Sequence, residues 1–147
     1  MAIAIPASDY EVYRAWFAVV CEFAFPLADT PNEFRPLNVL DDLFAKSPAN
    51  ARKGLAMAIG DLLEDASDWN RDRLDALEIA LNESKLPSFA KTRFHFDKSI
   101  RRIINRRVIR NEVEYYAVRN VVEAIGDSKD REFVWDMLSD FDLKLPK

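Results

Sequence analysis

Apolar residues recur every three or four positions along nearly the whole chain, and only three glycines occur in 147 residues. That spacing is the period of an amphipathic helix, whereas a half-buried strand alternates every second residue. So few glycines also cannot supply the many tight turns of an all-β fold. The expectation is an all-α fold: a single domain spanning residues 1–147, built as a compact bundle of six or seven helices.

The segments follow from this periodicity and from punctuation. Ser8 followed by Glu11 reads as a capping box. Beyond it, Tyr10, Tyr13, Phe17, Val20 and Ala24 share one stripe, widened by Val12, Trp16, Val19 and Phe23. So wide an apolar face predicts a central helix over 9–25, stopped by Pro26. Residues 26–36 hold three prolines and read as a loop. A short helix over 37–46 carries Leu37, Leu40, Leu43 and Phe44. Ser47-Pro48 is a strong start signal, because proline at the first helical position loses no hydrogen bond. Helices are then predicted over 48–66 and 69–84, the second with a narrower stripe suited to an outer position. After Pro87, one basic helix is predicted over 88–106. Asn111 with Glu114 caps a helix over 112–125, Gly126 suits the left-handed residue after it, and a last helix covers 129–141.

The charge map says more than the net charge of -4. From Lys91 to Arg110 stand eight bases against one acid. The first ninety residues hold fifteen acids and eight bases, and nine acids face five bases from Asn111 onward. One basic belt thus interrupts an acidic body. On a helical wheel, Phe96, Ile100, Ile103 and Ile104 fall opposite Lys98, Arg101, Arg102 and Arg106. Those four cations are the candidate nucleic-acid-binding face, although blocks of charge are ordinarily solvated faces and an acidic protein repels phosphate at long range. Two charges break the pattern. Arg107 falls on the isoleucine side and Glu114 among Val118, Val121 and Ile125, so an Arg107–Glu114 pair is expected to close the turn between two helices. Tyr116 falls on the polar side with Glu112, Arg119 and Glu123, where it could serve as an interface anchor or pack on a neighbouring helix or loop.

A second face is acidic. If 68–83 is helical, Asp68, Asp72, Asp75 and Glu83 line one stripe with Ile79 exposed among them. A stripe of that kind suits docking on a basic protein, with fast and salt-sensitive association, or else is simply a solvated outer face. Catalytic signatures are missing. A lone histidine, His95, cannot supply the repeated Glu-x-x-His of a di-iron bundle, and no calcium loop, phosphate loop or GxGxxG run occurs. The lone Cys21 lies at the edge of the first apolar face and reads as a buried thiol, excluding an internal disulfide. The tryptophans Trp16, Trp69 and Trp135 read as core or boundary residues. No catalytic residue, cofactor or metal is expected. The start MAIAIPASDY makes a poor secretory signal, with no basic residue before its apolar run and Pro6 inside it. No run of about 18 apolar residues occurs, so no membrane partner and a cytoplasmic location are expected.

The run LPSFAKTRFHFDKSIRRIINRRVIRNEVEYYAVRNVVEAI, residues 86–125, resembles a segment of small all-helical bacterial proteins of unknown function, chiefly through Arg107–Glu112 and the following Glu114-Tyr115-Tyr116. Some small helical proteins of that sort are immunity partners of polymorphic toxins. The resemblance spans about a quarter of the chain and implies a protein partner such as a cognate toxin, without assigning a role to any residue. With the acidity and the missing catalytic signatures, it points to a non-enzymatic protein-binding module, an immunity- or antitoxin-like inhibitor. A nucleic-acid-associated regulator is the alternative.

Overall fold

A computed structural model describes residues 5–24, 31, 33 and 35–144. Among these the chain is all-α, without strands. Eight α-helices follow one another: α1 Tyr10–Ala24, α2 Pro36–Lys46, α3 Pro48–Asp65, α4 Arg71–Glu83, α5 Phe89–Phe96, α6 Lys98–Arg106, α7 Glu112–Val122 and α8 Ser128–Lys144. Among the described residues the expected count of six or seven becomes eight, because the single basic helix over 88–106 is in fact α5 and α6. Asp97 divides them. Its backbone turns extended at ψ 117°, and its carboxylate accepts from the Ser99 and Ile100 amides at 2.9 and 3.2 Å. A short acidic side chain that bonds the next turn's amides starts a new helix rather than continuing the old one. Ser8 likewise lies inside a 3-10 turn, Ala7–Asp9, rather than capping α1 directly. The expected loop over 26–36 falls largely outside the described residues.

Two compact units arise, residues 1–87 and 88–147. In the first, α1 packs on α3 and α4, and α2 packs along α3. Trp16, Phe17 and Val20 from α1, Leu55, Ile59 and Leu63 from α3, and Leu77 and Leu81 from α4 are all buried, as the wide stripe of α1 and the narrow one of α4 require. Ser47 accepts the Asn50 amide at 3.3 Å with Pro48 at the first helical position. Arg14 grips Asp41 through two bonds, 2.8 and 2.6 Å, joining α1 to α2. Arg73 lies 3.8 Å over the Trp69 ring and donates to the Phe23 carbonyl, tying the start of α4 to the end of α1.

The second unit folds around Phe94, Ile100, Ile103, Ile104, Val118, Val121, Val122, Val134 and Leu138. Here α5 packs on α6 and α7, and α7 packs on α8. Gly126 does not take the left-handed conformation expected of it. Among the described residues Lys85, with φ 59°, and Arg107, with φ 67°, do.

Candidate functional site

The turn from α6 to α7 organises the second unit's polar chemistry. Ile109 anchors it in the core. Asn111 caps α7 as expected, accepting the Glu114 amide at 2.9 Å. The Glu114 carboxylate in turn accepts the Arg110 amide at 2.8 Å and the Arg106 guanidinium. Arg106 also donates twice to the Val108 carbonyl, at 3.0 and 2.8 Å. The pair that closes the turn is therefore Arg106–Glu114, not Arg107–Glu114. The helical wheel fails at Arg107 because α6 has already ended. Its αL backbone turns the side chain off the helical path, and the guanidinium lies 5.5 Å over the Phe133 ring of α8. Desolvation works against ionisation of Glu114. The Arg110 amide and the Arg106 guanidinium outweigh it, so its carboxyl is held below the usual range.

The four cations of the basic face are thus divided. Lys98 and Arg102 stand exposed. Arg106 is committed to Glu114, both side chains about one-fifth exposed. Arg101 is half-buried, 5.2 Å over Phe94, and makes one long bond of 3.5 Å to the Phe94 carbonyl. Arg101 and Arg107 meet at a cleft of about 370 Å³, with Asn105 of α6 and Asp130 and Phe133 of α8. Neither arginine forms an ion pair among the described residues, unlike Arg93, Arg106 and Arg119. The exposed His95 ring belongs to this neighbourhood. Partial desolvation, Lys91 and Arg101 push its pKa down, and Asp130 opposes them. Asn105, Asp130 and Phe133 escaped the sequence reading because a cleft between two helices leaves no periodic trace. The usable signal was Arg107 itself, the one cation on the wrong side of its wheel.

In the first unit Asp72, Asp75 and Glu83 are exposed on α4, and Ile79 among them is 60% exposed. Asp75 sits 3.7 Å from Arg71 in an open, weak pair. Asp68 is also exposed but precedes the helix, in a 3-10 turn Ala66–Asp68, because Asn70 takes the cap of α4 by accepting the Arg73 amide at 2.8 Å. The expected stripe therefore keeps Asp72, Asp75, Ile79 and Glu83 on one helix, with Asp68 ahead of it.

No family model, curated protein or solved structure matches this chain.

Tyr116 is 60% exposed, touching the Tyr115 ring edge-on at 5.2 Å, while Tyr115 stacks on Phe141. Nearby along α7, Val113 is 81% exposed. A second cavity, about 270 Å³ and lined by residues such as Val39, Leu43 and Leu55, offers apolar side chains only and no polar group to orient a ligand. Cys21 is buried, and burial pushes its thiol up to about 12. Among the described residues, no helix is long and apolar enough to cross a membrane, and no three metal-ligating side chains cluster.

Proposed function

We propose that the chain is a non-enzymatic protein-binding module that sets the acidic face of α4 on a basic partner, in the manner of an immunity- or antitoxin-like inhibitor. Ile79 carries this reading. A large aliphatic side chain more than half exposed at mid-helix, with Asp72, Asp75 and Glu83 on the same face, combines an apolar anchor with a charged rim. Complementary rims raise association rates and suppress wrong partners, and an apolar centre lends residence time. The alternative, a nucleic-acid-associated regulator, is weakened by the fate of its four cations, since Arg106 is held by Glu114 and Arg101 leans into a cleft. Affinity capture from the source lysate tests the proposal. A basic protein is expected to bind the wild-type chain and to be lost, by about tenfold or more, on combined Asp72→Lys, Asp75→Lys and Glu83→Lys. Tyr116→Ala examines the other candidate anchor separately. Capture indifferent to the charge reversal, or retention of nucleic acid alone, defeats the proposal.

A further inference from the structure

The Arg101–Arg107 cleft holds two cations whose charge the fold leaves unpaired. Its two guanidiniums rest over phenyl rings at 5.2 and 5.5 Å and have no carboxylate partner among the described residues. A guanidinium carries five N–H donors; half-buried Arg101 spends one on the Phe94 carbonyl, and Arg107 is exposed, its donors open to water and to a ligand. Arg107 is also strained. An L-residue with a Cβ at φ 67° sits where glycine or asparagine would rest more easily, and such outliers gather at ligand sites. At about 370 Å³ the cleft falls in the range of small-molecule pockets, about 300–1,000 Å³, and exceeds what a bare ion needs. One wall is cationic, from α6 and its cap. The other brings the Asp130 carboxylate and the half-buried Phe133 ring from α8.

We propose that this cleft binds a nucleoside monophosphate, its phosphate held by Arg101 and Arg107, its base lying by Phe133 with its amino donors toward Asp130. Planar guanidiniums match phosphate oxygens in pairs. A zwitterionic amino acid would also offer an anion and a donor. The cleft's own charge decides against it: two cations face one carboxylate. That surplus favours a dianion over a ligand of no net charge. The site lies wholly in the second unit and is independent of the acidic face of α4.

Calorimetric titration of the whole chain with adenosine 5'-monophosphate, inorganic phosphate, adenosine and L-phenylalanine is the test. The monophosphate is expected to bind saturably, with phosphate and adenosine each weaker by about tenfold or more. Arg107→Gly should weaken it by about tenfold or more without lowering the thermal midpoint of the free protein, because glycine relieves the backbone. Arg101→Gln, on regular helix, should weaken it similarly even if the glycine variant folds poorly. Asp130→Asn should narrow the preference for the monophosphate over phosphate. Arg102→Ala, exposed and outside the cleft, should stay within about twofold. No saturable binding of the monophosphate overturns the proposal. So does binding of L-phenylalanine in its place, or a loss in Arg102→Ala as large as in Arg107→Gly, which would mean a diffuse basic surface.

Discussion

Removing the Glu114 carboxylate should unlatch the α6–α7 turn, and the loss can be sized from its contacts. Glu114→Ala deletes a charge-assisted bond to the Arg110 amide and an ion pair with Arg106. Were the pair fully buried, deleting one partner would cost about 3–5 kcal/mol. With both side chains about one-fifth exposed, water can reach the abandoned groups, and Arg106 keeps its two bonds to the Val108 carbonyl. A loss of about 2 kcal/mol is therefore expected, most of it from the bond to the amide. In a chain of 147 residues each kcal/mol moves the midpoint by about 2–4 °C, so Glu114→Ala should melt about 4–8 °C lower. A double-mutant cycle by urea and thermal denaturation, followed by far-ultraviolet circular dichroism, assigns the partner. Arg106→Ala with Glu114→Ala should couple by about 1 kcal/mol, and Arg107→Ala with Glu114→Ala by nearly nothing. Coupling to Arg107 that equals or exceeds the coupling to Arg106 would refute the geometry of the turn. The pH dependence supplies a check of sign. The folded carboxyl titrates below its ordinary value of 4.5, so its contribution is present above that pH and fades as the pH falls through the folded value.

Asp97→Ala removes the acceptor for the Ser99 and Ile100 amides and should lower stability by about 1–2 kcal/mol in denaturant titration; unchanged stability would mean that the break between α5 and α6 does not depend on this cap. Cys21 should resist iodoacetamide at pH 8 in the native chain and react fully in 6 M guanidinium, read by mass spectrometry. Its folded thiol titrates near 12, above the ordinary value of 9.0, so stability should also decline as the pH rises from about 9 toward 12. Rapid native alkylation at pH 8 would refute its burial.

Where one helix's own pattern decided the outcome, the sequence was sufficient. The wide stripe of α1, the start at Ser47-Pro48, the Asn111 cap and the buried isoleucines of α6 are local consequences of period and hydrogen-bond chemistry. The same reasoning overran its domain at helix ends, as three of them show. Asp97 looked like one more helical residue, because nothing in periodicity says when a side chain will prefer the amides ahead of it to the helix behind. Gly126 looked like the residue that would leave the helical region, yet Arg107 did so. Asp68 fell on the α4 stripe only if the helix began before Asn70. Each error is a helix boundary, where two local bonding schemes differ by little and the packed neighbour decides.

The cleft was illegible for a related reason. Arg101 and Arg107 are six residues apart, and on a continuous helix they would lie on different faces. They meet over one cavity only because α6 stops at Arg106 and the αL step swings Arg107 toward Phe133. A left-handed non-glycine residue costs about 1–2 kcal/mol. The contact with the Phe133 ring returns part of this, whereas the cap's backbone bonds to the Ile103 and Ile104 carbonyls would form equally well with glycine, and the turn is already latched by Arg106. An arginine at this position is thus dispensable to the turn while presenting a second cation to Arg101. The two adjacent arginines therefore divide the labour: Arg106 holds the turn, and Arg107 is positioned by the turn. If Arg107→Gly proves the more stable protein and the poorer binder, the position is shaped by its ligand rather than by the fold.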